Sequence, residues 1–81
     1  MEGKCIICNR YTSIDKHEPI GGCRRKLSVR FGLSIPVCRL CHGELQRSKV
    51  KNYPWQQAMQ KLFMKRYPEL DWMAIFQKNY L

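Results

Sequence analysis

The sequence predicts a small α+β domain nucleated by a metal ion, and three observations carry that prediction. Two Cys-x-x-Cys pairs, Cys5 with Cys8 and Cys38 with Cys41, frame the first half of an 81-residue chain. A chain this short buries too little apolar surface to be comfortable alone and usually needs a metal, a disulfide or a partner. Short turn-bounded stretches fill the region up to Cys38, whereas three- and four-residue apolar spacing dominates after Trp55. The expected organisation is one domain over 1–81, with a finger over 1–50 and two helices over 51–81 packed on it.

The cysteine count is five, which is odd and so argues against a closed disulfide framework. Paired spacing of this kind reads as a structural Zn²⁺ site of four thiolates, Cys5, Cys8, Cys38 and Cys41, with no position left open for water. Cys23 falls outside the pairs and is read as a free thiol.

The elements follow in order. Residues 4–10, "KCIICNR", suit a knuckle that wraps a metal between two thiolates. Residues 11–18 are expected to be extended and to lead into His17. Pro19, Gly21 and Gly22 then mark a loop. "RRKLSVRF" suits a short helix stopped by Gly32 in a left-handed cap. Leu33, Ile35 and Val37 alternate with Ser34 and Pro36 as a short strand, which Pro36 requires to lie at a sheet edge or to have the proline facing away from its partner. Cys38 to Cys41 opens a helix carrying His42, Leu45 and Gln46. Pro54 suits the first turn of a further helix, with Asn52 as its cap. Trp55, Ala58, Met59, Leu62 and Phe63 form its apolar stripe. Pro68 ends it, and Glu69 and Asp71 are expected in the first turn of the last helix, where acids favour the positive end of the dipole. Leu70, Trp72, Met73, Ile75 and Phe76 make that last segment apolar nearly all round, which suits packing over the finger.

The net charge is +9, and seven of those charges come from residues 24–51. There Arg24, Arg25, Lys26, Arg30, Arg39, Arg47, Lys49 and Lys51 face only Glu44. Such a block is the electrostatic footprint of a phosphate-binding surface. An acidic protein partner attracts the same patch, so charge alone does not separate the two. The opening "MEGKC" has no charged leader followed by an apolar stretch, and no apolar run approaches the roughly 20 residues that span a bilayer. Reduced thiols around zinc suit the cytoplasm.

Taken together, the order of C-x-x-C, a histidine before Gly-Gly, "RKLS", a short strand, C-x-x-C-H and the tail "IFQKNYL" resembles the small His-Asn-His (HNH) endonuclease-like proteins of bacteriophages and prophages. The resemblance covers nearly the whole chain and implies a ββα-metal, treble-clef-like finger. It implies that His17 is the general base that deprotonates water and that His42 is a ligand of a catalytic Mg²⁺ or Mn²⁺. The remaining positions depart from that pattern. Lys16 stands where a ligand is expected, Arg24 where an orienting asparagine is expected, and Gln46, one turn after His42, where a second histidine ligand falls. Asp15 and Glu18 are substitutes only under a shifted register. Lys16, Arg24 and Arg25 in place of those groups suit direct phosphate binding. The implied function is a phage-type nucleic-acid-binding protein, with DNA favoured over RNA, acting in the bacterial cytoplasm with a degraded nuclease site. The alternatives are a working metal-dependent endonuclease or nickase, and a nuclease-derived inhibitor of a host or defence protein, in the manner of anti-CRISPR proteins.

Overall fold

The computed structural model describes all of residues 1–81. Three strands, β1 (Glu2–Lys4), β2 (Tyr11–His17) and β3 (Ile35–Cys38), form one antiparallel sheet in the order β1-β2-β3. A 3-10 turn at Gly22–Arg24 and helix α1 (Arg25–Arg30) connect β2 to β3. Helices α2 (Arg39–Arg47), α3 (Lys49–Arg66) and α4 (Trp72–Phe76) follow. The molecule is a small α+β domain, and no helix in it is long and apolar enough to cross a membrane.

Each connection has a local cause. β1 and β2 pair Glu2 with Ser13 and Lys4 with Tyr11, so the first cysteine knuckle is the loop of a hairpin. Asn9 adopts φ 65° there, a left-handed conformation that asparagine tolerates better than most residues. Gly32 stops α1 at φ 69°: its N–H donates to Val29 O at 3.3 Å, and the Leu33 N–H donates to Ser28 O at 2.8 Å. That pair of bonds is a Schellman closure, and it delivers a fully buried Leu33 to the core. β3 pairs on one side only, with Lys16 opposite Pro36, so the missing proline N–H costs the sheet nothing. Pro36 O still accepts from the Ile6 N–H at 3.0 Å, which docks the knuckle onto that free edge.

The start of α3 differs from the expectation. Its cap is Ser48, whose hydroxyl accepts from the Lys51 N–H at 3.2 Å, and Pro54 lies inside the helix. A proline there cannot bond the carbonyl of Val50, but Val50 is exposed and water can take that role. Asn52 is therefore free for other work. The last helix also starts later than expected: Asp71 is its cap, accepting from Met73 N and Ala74 N, and Glu69 precedes it.

A single core joins the halves of the chain. Ile20, Leu33, Ile35 and Val37 from the sheet side pack with Met59, Phe63, Trp72, Phe76 and Tyr80 from the helical side. Phe63, fully buried, meets the rings of Phe31, Tyr67, Trp72 and Phe76 with centroids 5.0–5.6 Å away. The segment after α4 crosses α3 as a strap. Its backbone is satisfied by side chains: Tyr53 Oη and Gln57 Nε2 donate to Tyr80 O, and Trp72 Nε1 donates to Lys78 O.

Candidate metal centre and basic cleft

The hairpin loop and the β3–α2 junction bring Cys5, Cys8, Cys38 and Cys41 together, with all four sulfurs within 4.8 Å of one another. The Cys8 and Cys38 sulfurs are 3.7 Å apart. A tetrahedral zinc with bonds of 2.3 Å requires sulfur–sulfur edges of about 3.8 Å, so Cys8 and Cys38 already stand at that spacing and the four thiols are close enough to hold such an ion after small shifts. The polypeptide also prepares the sulfurs for charge. The Cys41 N–H donates to Cys38 Sγ at 3.5 Å, and Arg10 reaches the same sulfur at 3.8 Å. Burial raises the Cys5 thiol, but backbone hydrogen bonds from Cys8, Cys38 and Ile7 outweigh it and hold the group down at about 6. Burial and the three neighbouring sulfurs push Cys41 up to about 12. A bound cation reverses that penalty, because a coordinating thiol is deprotonated outright. Arg10 in turn is raised by its contacts with Cys8 and Cys38, which makes it the counter-charge to the thiolates. Cys23 is exposed and outside this group.

The second constellation lies at the other end of β2. Residues alternate across a strand, so Asp15 and His17 share one face and Lys16 points to the opposite one. Lys16 is exposed there and does not occupy the ligand position beside His17 that the family resemblance implies for it. His17 is buried, and its Nε2 lies 2.8 Å from Asn52 Oδ1. The amide orientation is set by its other end, where Asn52 Nδ2 donates to Pro19 O at 2.9 Å. The oxygen therefore faces the ring, Nε2 must carry the proton, and the lone pair of a neutral ring sits on Nδ1. An asparagine of α3, and not a residue at position 24, therefore holds the His17 ring. Arg24 does something else: its Nε donates to Phe76 O at 2.6 Å and ties the 3-10 turn to the end of α4.

His42 lies beside His17, with ring centroids 5.1 Å apart and edge to face. Its Nδ1 is 3.3 Å from Asp15 Oδ2, so a carboxylate that can only accept leaves Nε2 as the free nitrogen. Asp15 thereby acts as the partner that orients His42, the arrangement common behind metal-binding imidazoles. Gln46 lines the cleft nearby and brings only a neutral amide. The tetrathiolate cluster is the only place where three or more His, Cys, Asp or Glu ligands converge. Mg²⁺ and Mn²⁺ prefer a shell of oxygen ligands. One imidazole and a carboxylate already committed to it do not fit such an ion.

A cleft of about 690 Å³ opens over His17. Arg24, Arg25, Lys49 and Lys78 line it, together with Glu18, Gln46, Asn52, Tyr53, Gln56 and Tyr80. Arg25 is mostly exposed and also holds Glu18 through an ion pair of 3.1 Å. Of the basic residues singled out from the sequence, the cleft gathers Arg24, Arg25 and Lys49. Lys26, Arg30, Arg47 and Lys51 are exposed outside it, and Arg39 lies in a separate shallow depression with Arg10, Thr12 and Ser13. The cleft residues that sequence reasoning missed are Asn52, Tyr53, Gln56, Lys78 and Tyr80. All of them come from α3 and the strap, and none is near His17 in the chain.

Comparison with protein-family profiles, with characterised proteins and with solved structures gave no significant match.

Proposed function

We propose that this chain is a zinc-stabilised nucleic-acid-binding module derived from an HNH, ββα-metal nuclease of phage type, and that it grips phosphate without efficient cutting. One observation carries the reading: four cationic side chains, Arg24, Arg25, Lys49 and Lys78, line the cleft over an oriented imidazole. Support for the ββα-metal assignment comes from order and placement. Two antiparallel strands and a helix, β2, β3 and α2, put His17 at the end of the first strand and His42 in the first turns of the helix. The zinc of the four thiolates is the structural ion in this reading, and the bacterial cytoplasm is the compartment that keeps those thiols reduced.

The chemistry of the cleft is electrostatic. Arginine engages phosphate oxygens bidentately and lysine as a point charge. His17 keeps a lone pair at Nδ1 with its ring held by Asn52, so in this reading the base half of a hydrolytic site is retained. The electrophilic half is not: only His42 is positioned as a ligand. A base without that stabiliser loses the main support for charge on the phosphate. The second reading, a slow endonuclease or nickase, is favoured by the same oriented base.

The test is binding and cleavage measured side by side on duplex and single-stranded DNA and on RNA, with Mg²⁺ or Mn²⁺ added. Salt-sensitive binding with no cleavage is expected. Replacing Arg25, Lys49 and Lys78 together by glutamine should flatten the slope of log affinity against log salt by up to about three units. Robust metal-dependent cleavage that His17→Ala abolishes establishes the enzyme instead. Absence of binding to every nucleic acid at low salt turns the cleft toward an acidic protein, such as a host or defence factor.

A further inference from the structure

We infer that the cleft takes an unpaired nucleotide, with its base stacked on Tyr53 and its phosphate held by Lys49. The inference rests on the nucleic-acid reading above and goes beyond it by choosing single strands over duplex.

Tyr53 lines the cleft with nearly half of its surface exposed, outside the group of aromatic rings gathered around Phe63. The ring is also held. Its hydroxyl donates to Tyr80 O at 2.6 Å, which fixes the side chain against the strap before anything binds. A ring fixed in advance loses little conformational entropy when a partner stacks on it. Lys49 and Tyr53 are four residues apart on α3 and line the same cleft, so their side chains are neighbours, with about 5–6 Å between Cβ atoms. A phosphate at one and the base of the same nucleotide at the other match that spacing. Asn52 and Gln56 flank Tyr53 on the same face. Each donates one amide N–H to Pro19 O, which ties the wall beside the ring to the β2–α1 loop. Lys78 lies 5.2 Å from the centre of the Tyr80 ring, which keeps a second cation at the cleft.

Pairing state follows from the ring. The faces of a paired base are covered by its neighbours in the stack, so a cleft-lining aromatic gains nothing from a duplex beyond contact with its backbone. An unpaired base offers an open face, and each base stacked on an aromatic strengthens binding by roughly tenfold or more.

The experiment measures binding of the intact zinc-loaded protein to a fluorescent oligothymidylate and to a hairpin duplex with the same number of phosphates. The single strand should bind about tenfold tighter. Tyr53→Leu should erase that preference while leaving duplex affinity unchanged, and Tyr53→Phe, which keeps the ring, should retain most of it. Lys49→Gln should weaken both ligands. Oligonucleotide carrying 5-iodouracil gives a readout that needs no variant: irradiation should place the crosslink on Tyr53. Equal affinity for the two ligands, an unaltered preference in Tyr53→Leu, or a crosslink elsewhere overturns the inference while leaving the nucleic-acid reading intact. Failure of both ligands to bind at low salt overturns the two together.

Discussion

Asn52→Ala tests the core of the site. The substitution removes two hydrogen bonds, to His17 Nε2 at 2.8 Å and to Pro19 O at 2.9 Å. They are unequal losses. Pro19 O keeps a second donor, Gln56 Nε2 at 3.0 Å, so that loss should cost about 1 kcal/mol. His17 is buried, and its Nε2–H is left without an acceptor, which should cost about 1–2 kcal/mol more. The total is about 2–3 kcal/mol, or roughly 10–20 °C in melting temperature for a domain of this size. The assay is thermal and urea unfolding of zinc-loaded protein, extended to a double-mutant cycle with His17→Ala. The cycle should return a coupling of about 1 kcal/mol or more. Nitrogen chemical shifts of the His17 ring should show the proton on Nε2 at neutral pH. Additivity within about 0.3 kcal/mol, or a proton on Nδ1, would refute the claim that Asn52 fixes the ring.

Elemental analysis should find one zinc per chain, and Cys38→Ser should lose both metal and fold, since structural zinc contributes roughly 10 kcal/mol or more. Cys23→Ser should keep its zinc and its unfolding curve unchanged. Protons compete with the metal for sulfur, so zinc affinity should fall as the pH is lowered. In the metal-free protein Cys5, lowered to about 6, favours the fold when ionised, and that contribution is lost as the pH falls through 6, which urea unfolding of chelator-treated protein across that range should show. Phe63→Ala should cost about 3–5 kcal/mol by urea unfolding, because the ring is fully buried among four others, and a cost below about 1 kcal/mol would contradict the packing described.

The sequence was most legible where the signal is short-range. Cysteine spacing located both halves of the tetrathiolate group, Gly32 marked the end of α1, and Pro36 put β3 at an edge. The errors share a cause. Pro54 in the position proline favours at helix starts makes Asn52 the expected cap. The real cap, Ser48, has lysine three residues on, where a glutamate would have completed a recognisable capping box. Once Asn52 was read as a cap, its bond to a residue 35 positions away could not be seen. Lys16 was judged by adjacency to His17, although neighbours on a strand face opposite ways. Asp15, two residues from His17, was the position to weigh, and it contacts His42. The strap carries no local signal that would bring Lys78 and Tyr80 to the cleft, because its place depends on hydrogen bonds to α3. Strand β1 is only three residues long and owes its existence to pairing with β2.

The two halves of the metal centre differ in how they are reached during folding. Cys5 and Cys8 belong to one turn, so an incoming ion can be held there before anything else is ordered. The second pair joins only by closing a loop of 30 residues between Cys8 and Cys38. Closure of that length costs about 3 kcal/mol in chain entropy before β2 and β3 gain from pairing. Metal affinity can supply it. An ion captured first by the local chelate would be a kinetic partner as well as a static one, drawing the distant strand in toward the register that places His17 opposite Ile35. The rate of folding should therefore depend on zinc concentration when the metal is scarce, and become independent of it once the first knuckle is saturated.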